Sequence, residues 1–287
     1  MSQALLKLAA WLLLPSLAAS AMAGDRLVAS GGVTQIEGAA GGGLVPWALI
    51  AGYGTRGQLG ASLFHTKVNS QGGFELQSAG GAIGVNDRFE LSLSQQRFGL
   101  SDTVPGASLR MQTIGAKLRV SGDAVYDQDS WLPQIAVGVL AKRNQDFASV
   151  PRALGARNAS GIDAYVAATK LFLGAVAGRN LLLNATLRAT RANQFGLLGF
   201  GGDANDGYRA KPELSAALML TDTLLVGAEH RSKPNNLSVF KEESAHDLFI
   251  AWFVHKQVAI TAAAVDLGNI ADKSRQHGWY LSGQLSY

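Results

Sequence analysis

The sequence predicts an all-β chain that closes into a single antiparallel transmembrane β-barrel of about 12 to 14 strands. Three observations carry that reading. In the last stretch, Gly278 to Tyr287, an extended strand puts Trp279, Leu281, Gly283, Leu285 and Tyr287 on one face and Tyr280, Ser282, Gln284 and Ser286 on the other. Similar alternating segments recur along the chain, joined by short turns and longer links in alternation. The chain also opens with the marks of an export signal, which makes lipid outside and water inside the fitting pair of solvents.

Met1 to Ala23 reads as a cleavable signal peptide: Lys7, an apolar run from Leu8 to Leu14, Pro15, and the small-residue site Ala21-Met22-Ala23. Beyond it, no run of about 18 apolar residues occurs, so helical spans are excluded and only a closed barrel could cross a bilayer. Without Lys7, 25 − 1 = 24 basic residues stand against 21 acidic ones, a charge of +3 that implies neither nucleic acid nor an acidic partner. There is no cysteine, hence no disulfide or thiolate metal site, and no cofactor is indicated. Thirty-four glycines, roughly 12% against a usual 7%, and a low charged fraction of 16% suit a membrane barrel.

The expected organisation is a signal peptide over 1–23, an N-terminal strand or plug segment over 24–46, and an outer-membrane barrel over 47–287. Arg26 to Ile36 is weakly extended and leads into the glycine cluster Gly41 to Gly43. Trp47 to Tyr53 reads as a strand, Thr55 to Gln58 as a tight turn, and Leu59 to Val68 and Phe74 to Val85 as further strands. Phe89 to Phe98 alternates cleanly, with Phe89, Leu91 and Leu93 outward and Glu90, Ser92, Ser94 and Gln96 inward. In Met111 to Ser121, Lys117 and Arg119 fall on the inward face, because a cation facing the bilayer midplane costs about 2 to 4 kcal/mol. Gln134, Ala136, Gly138 and Lys142 face inward from the strand that ends at Lys142. Ile162 to Phe172 is less clear. Leu181 to Ala192 turns Arg188 inward, and Tyr208 to Leu220, Leu224 to Ser232, Asp247 to Val254, Val258 to Leu267 and the closing strand follow. If both termini are periplasmic, an upward strand over Leu27 to Ile36 makes about 14 strands; if that piece is a plug or a tail, the count falls to about 12, which is even only if one further weak segment is not a strand.

Four stretches resemble a known family: Ile36 to Gly43 (IEGAAGGG), Gly122 to Gln134 (GDAVYDQDSWLPQ), Asn193 to Asp203 (NQFGLLGFGGD) and Val265 to Ile270 (VDLGNI). The family consists of uncharacterised Gram-negative exported proteins, catalogued only as a domain of unknown function and taken to form outer-membrane barrels. The resemblance implies location and architecture and supplies no activity. The closing strand, through Trp279, Leu281, Leu285 and Tyr287, also resembles the C-terminal strand that barrel-assembly machinery recognises, which makes that machinery and outer-membrane lipid the expected partners.

Candidate chemistry is sparse. His65, His230, His246, His255 and His277 show no diagnostic spacing and read as scattered interfacial or loop residues; a histidine and a serine in hydrogen-bond reach at the outer rim would instead mark an enzyme. Asp123, Asp127 and Asp129 read as turn chemistry rather than a metal site. The glycine cluster lacks the lysine and helix of a phosphate loop. The best functional lead is the set of inward charges Glu90, Lys117, Arg119, Lys142, Arg188, Lys211, Glu213, Glu229 and Arg231, with Glu213 expected opposite Arg231. They suit either a structural ladder or a hydrated pore favouring anionic or polar small solutes. The apolar loop carrying Phe195, Leu197, Leu198 and Phe200 either folds into the mouth or packs on the rim. The reading is a non-enzymatic, porin-like channel or transporter for small solutes; the alternatives are an outer-membrane lipid- or peptide-modifying enzyme and a plugged structural barrel.

Overall fold

In the computed structural model, which describes residues 24–287, twelve antiparallel strands close on themselves. The expected signal peptide, 1–23, lies outside the described residues. The wall strands are β3 (Leu59–Ser70), β4 (Glu75–Val85), β5 (Phe89–Gly99), β6 (Ser108–Ser121), β7 (Gln134–Asn144), β8 (Ser160–Val176), β9 (Arg179–Thr190), β10 (Arg209–Thr221), β11 (Leu224–Arg231), β12 (Ala245–His255), β13 (Val258–Asp266) and β14 (His277–Ser286). Each pairs with its sequence neighbour, and β14 pairs with β3 through Gly283↔His65 to complete the ring. With no free edge, the ladder satisfies the backbone groups that hydrocarbon could not. Turns at 86–88, 177–178, 222–223 and 256–257 mark one end of the barrel. Longer links at 145–159, 191–208, 232–244 and 267–276 mark the other, with a one-turn helix α1 (Val150–Ala153) in the first of them.

The wall is inside-out relative to a soluble protein. Leu91, Leu187, Leu248 and Leu285 stand exposed on the outer face, at 64, 51, 69 and 46%, while Arg188 and Gln284 are buried at 1 and 9%. Arg188, Arg231 and Lys142 are among the largest fully buried side chains. An apolar belt of this extent, wrapped round a charged interior, is stable only in lipid, and the barrel is membrane-spanning.

The N-terminal segment is not part of that wall. Residues 24–54 lie within the ring, 30–54 buried in the lumen and 24–29 at its short-turn mouth, with one small hairpin of β1 (Val33–Thr34) and β2 (Ala40–Gly41). The strands expected over Leu27 to Ile36 and Trp47 to Tyr53 are therefore absent from the barrel, which has the count of 12 that the plug alternative required, and the wall begins at Leu59 rather than at residue 47. The reason lies in the side-chain pattern. A wall strand has one face in lipid and one in the interior, whereas Leu44, Val45, Trp47, Ala48, Leu49 and Ile50 are each 2% exposed or less, with no alternation. Such a segment is satisfied only where it is surrounded.

Candidate functional site

The interior is the densest polar site of the molecule, and it is built in tiers from the inserted segment outward. Near the short-turn end, Arg26 donates to the Ile50 carbonyl at 3.0 Å and pairs with Asp87 at 2.9 Å; Asp87 also meets Arg119, which reaches Asp123 at 3.4 Å. Burial pushes the Asp87 carboxyl above its ordinary range, against the pull of Arg26 and Arg119.

In the middle tier the wall supplies the inserted backbone with hydrogen bonds it cannot make itself. Glu90 accepts from the amides of Ala40 and Ala51 at 3.2 and 2.9 Å, and the Lys117 ammonium donates to the carbonyls of Ala40 and Leu49 at 2.9 and 2.7 Å. Glu229 accepts from the Leu44 amide at 2.6 Å and from the Ser215 hydroxyl at 2.7 Å. Thr169 accepts from the Ala48 amide, Gln134 donates to the Ala48 carbonyl, and Thr186 donates to the Pro46 carbonyl. A buried backbone group such as the Ala48 amide, left without its partner from the wall, would cost about 1 to 3 kcal/mol. Gly42 permits the approach: a Cβ there would lie 2.0 Å from a carboxylate oxygen of Glu229, so the glycine cluster serves close packing rather than phosphate binding.

The upper tier is a knot of charges around Glu37, which sits at the hairpin tip of the inserted segment. Its carboxylate meets Lys142, Arg188 at 3.3 Å and Arg231 at 2.9 Å. Asp163 holds Lys142 at 2.6 Å and Arg188 at 3.4 Å, and Glu213 holds Arg188 at 2.6 Å and Arg231 at 3.4 Å. Three carboxylates thus face three cations, and the knot is neutral. Burial alone would raise the Glu37 carboxyl; Arg231, Lys142 and Arg188 together override it and hold it well below the usual range.

Above the knot the loop after β9 folds inward. Gln194 and Phe195 adopt left-handed φ of 43° and 62°, turning the chain over the mouth, and Phe195 lies on the Arg231 guanidinium at 4.2 Å. Leu197, Leu198 and Phe200 are buried beneath it. The loop is fastened by the Gln194 amide donating to Glu242 at 2.9 Å and by Lys233, which donates to Gln194 at 3.1 Å and to the carbonyls of Leu267 and Asn269. Burial raises the Glu242 carboxyl to about 7 despite Lys233 nearby, and lowers the Lys233 ammonium.

The inward charges read from the sequence therefore do face the interior, with Glu213 in register with Arg231 as expected. Lys211 is in register with Arg188 and lies at the long-loop end. Glu90, Lys117, Lys142, Arg188, Glu229 and Arg231 are buried against the inserted segment instead of lining a hydrated pore. Trp279, Leu281, Leu285 and Tyr287 point to the lipid side. Asp123 caps the amides of Val125 and Tyr126 in a turn, and among the described residues no three metal-ligating side chains come together. Sequence reasoning missed Glu37, Asp163 and the Lys233–Glu242 pair, because a partner on another strand has no signal in the local pattern. The histidines are not all scattered: His230 and His246 lie opposite each other on the outer face at the long-loop rim, with ring nitrogens 3.2 Å apart, and His277 stands two strands further along the same rim.

The model of a protein family described as a protein of unknown function, DUF3034, matches residues 30–284. The chain belongs to that family. DUF3034 membership agrees with the resemblance carried by the four loop stretches. No curated protein matches the sequence. Among solved structures the fold is similar to the KdgM porin, at 9% identity and a TM-score of 0.48 over 79% of this chain and 99% of that one. It is similar too to the Acinetobacter baumannii outer membrane protein Omp33, at 10% identity and 0.44 over 79% and 97% of the two chains. The COG4313 outer membrane channel from Pseudomonas putida F1 gives 9% identity and 0.43 over 83% and 96%. At these identities the likeness is one of barrel architecture.

Proposed function

We propose that this DUF3034 protein is a gated channel of the Gram-negative outer membrane that passes small polar solutes when the inserted segment leaves the lumen. The observation that carries the reading is how that segment is held. It contributes no strand to the ring, whose twelve ladders are complete without it, and it is held by side-chain hydrogen bonds, ion pairs and the apolar packing of Ile36 and Leu44 beside Val68, Phe74, Leu76 and Phe98 rather than by strand pairing. Withdrawal would break those contacts and leave a closed barrel lined by Glu90, Lys117, Lys142, Asp163, Arg188, Lys211, Glu213, Glu229 and Arg231. In that lining Lys117 and Arg188, with Arg119 at the short-turn end, would bias selectivity toward anions.

A filled interior also favours a second reading, a permanently plugged structural barrel. Planar-bilayer recording separates the two. The gated reading expects the full-length protein to be closed for most of the record with discrete openings, and a variant lacking residues 26–53 to carry a steady, anion-preferring current. Full-length protein that never opens at any voltage, beside a conducting deletion variant, supports the plugged barrel; silence from both overturns the channel.

A further inference from the structure

On the outer face of the long-loop rim, side chains from four successive strands form a row that the interior reading does not use. β11 supplies His230, with Ser232 just after its end; β12 supplies His246 directly opposite His230; β13 supplies Asp266 opposite His246; and β14 supplies His277 opposite Asp266. His230 Nε2 lies 3.0 Å from Ser232 Oγ, and His230 Nδ1 lies 3.2 Å from His246 Nδ1. His277 Nδ1 is 3.7 Å from Asp266. In the tautomer that carries its proton on Nδ1, His230 donates to His246 and offers the Nε2 lone pair to the Ser232 hydroxyl. Nucleophile, base and orienting group then stand in the order that serine hydrolysis requires.

What lies next to the row says which ester it would take. A groove of about 660 Å³ on the lipid-facing wall is lined by Leu183, Ala185, Leu214, Ala216 and Ala228 and ends at His230 and His246. Its floor is alanine where its neighbours on the belt are leucine, so an extended hydrocarbon chain fits along the wall with its polar end at the histidine pair. Because the groove faces the bilayer, the molecule that reaches it is a membrane lipid and not a solute in water.

We propose that Ser232, His230 and His246 form an acyl-ester hydrolase site for lipids of the surrounding leaflet. Ser232 Oγ attacks the ester carbonyl carbon while its proton passes to His230 Nε2. The tetrahedral adduct collapses, the ester C–O bond breaks, and the lipid alkoxide leaves with the proton from His230. Water then attacks the acyl-serine, gives its proton to His230, and releases the fatty acid as Ser232 regains its hydrogen. His230 is the general base and acid. His246 acts through His230 by fixing its tautomer and supporting the transient imidazolium, and is a positioning residue.

The site is independent of whether the lumen opens, and so is its test. Full-length protein in vesicles of phosphatidylethanolamine and phosphatidylglycerol is treated with a fluorophosphonate, and released fatty acid is measured by mass spectrometry. Heat-dependent gel mobility reports that each variant is folded. Wild type is expected to be labelled at Ser232 and to release fatty acid. Ser232→Ala loses the label, and Ser232→Ala and His230→Gln each lower release by about 100-fold or more. His246→Gln lowers release by roughly 10-fold and moves the acid limb of the pH–rate profile, a change that a purely structural role would not produce. Folded wild type that is neither labelled nor active on these lipids overturns the proposal, as does release that survives Ser232→Ala or that a chelator abolishes.

Discussion

Arg231 and His230 are consecutive residues of one strand, and the molecule uses them in opposite ways. Arg231 points inward, is 2% exposed, and is held by Glu37, Glu213, the Leu44 carbonyl and the ring of Phe195. His230 points outward, is only partly buried, and meets Ser232 and His246 at the lipid interface. Inside, each charge is matched by several partners, so an isolated change leaves an uncompensated buried charge. Outside, a short row of hydrogen-bonded side chains borders a greasy groove, and a change there alters chemistry while leaving the fold alone. The difference teaches that the two faces of this wall have separate jobs even one residue apart.

The largest effect should follow from breaking the inner side. Glu37→Ala leaves three buried cations facing only two carboxylates, Asp163 and Glu213, and should weaken docking of residues 24–54 by about 3 to 5 kcal/mol. The wall should stay intact, because its ladder does not include Glu37. Protease protection of the inserted segment should fall while heat-dependent gel mobility persists; equal protection in variant and wild type would mean that the knot does not hold the segment. Arg231→Met sharpens the comparison. It should weaken the same docking but leave fluorophosphonate labelling at Ser232 unchanged, whereas His230→Gln should do the reverse.

A smaller effect separates the knot from the loop above it through pH. Glu37 is held below its ordinary value, so its contribution is present above about pH 4.5 and is lost only as pH falls through the lowered value. Glu242 is raised from 4.5 to about 7, so the docked loop binds a proton that the free loop releases. Its docking is therefore strongest below pH 4.5 and weakens as pH rises through 7, by on the order of 2 to 3 kcal/mol. The groups facing it are Lys233, Lys211 and the Gln194 amide. Amide exchange at 194–198 should quicken between pH 5 and 8, after correction for intrinsic rates, and Glu242→Gln should flatten the trend. A loop that tightens with rising pH would contradict this assignment. The smallest effect belongs to the exposed Lys67–Glu75 pair at 2.8 Å, where Lys67→Ala should change stability by less than about 1 kcal/mol in thermal unfolding.

How much of this was legible in the sequence follows from the range of each signal. Period-two alternation is local, so Phe89 to Phe98 and the closing strand could be read directly, as could the inward placement of Lys117 and Arg188. The segment from Trp47 to Tyr53 is apolar and of strand length, which reads as wall; its lack of a polar face is the clue that it is enclosed. Glu37 sits among glycines with nothing nearby to pair with, and its cations lie on β7, β9 and β11, brought together only when the ring closes. The row at the outer rim is more hidden still. His230 and Ser232 are two residues apart, but His246 and Asp266 sit on other strands, and only the register aligns them with that pair.

The central claim is that residues 24–54 occupy the lumen and that their leaving opens it. The chain has no cysteine, so a Thr34→Cys/Gln284→Cys variant carries a single thiol pair, one thiol on the inserted segment and one on β14, at positions whose native side chains touch at 2.8 Å. Joined by a short cleavable bifunctional maleimide, this variant should give no ion current in a planar bilayer, and cleaving the linker should restore the discrete openings of the unlinked protein. Currents identical before and after cleavage would contradict the account.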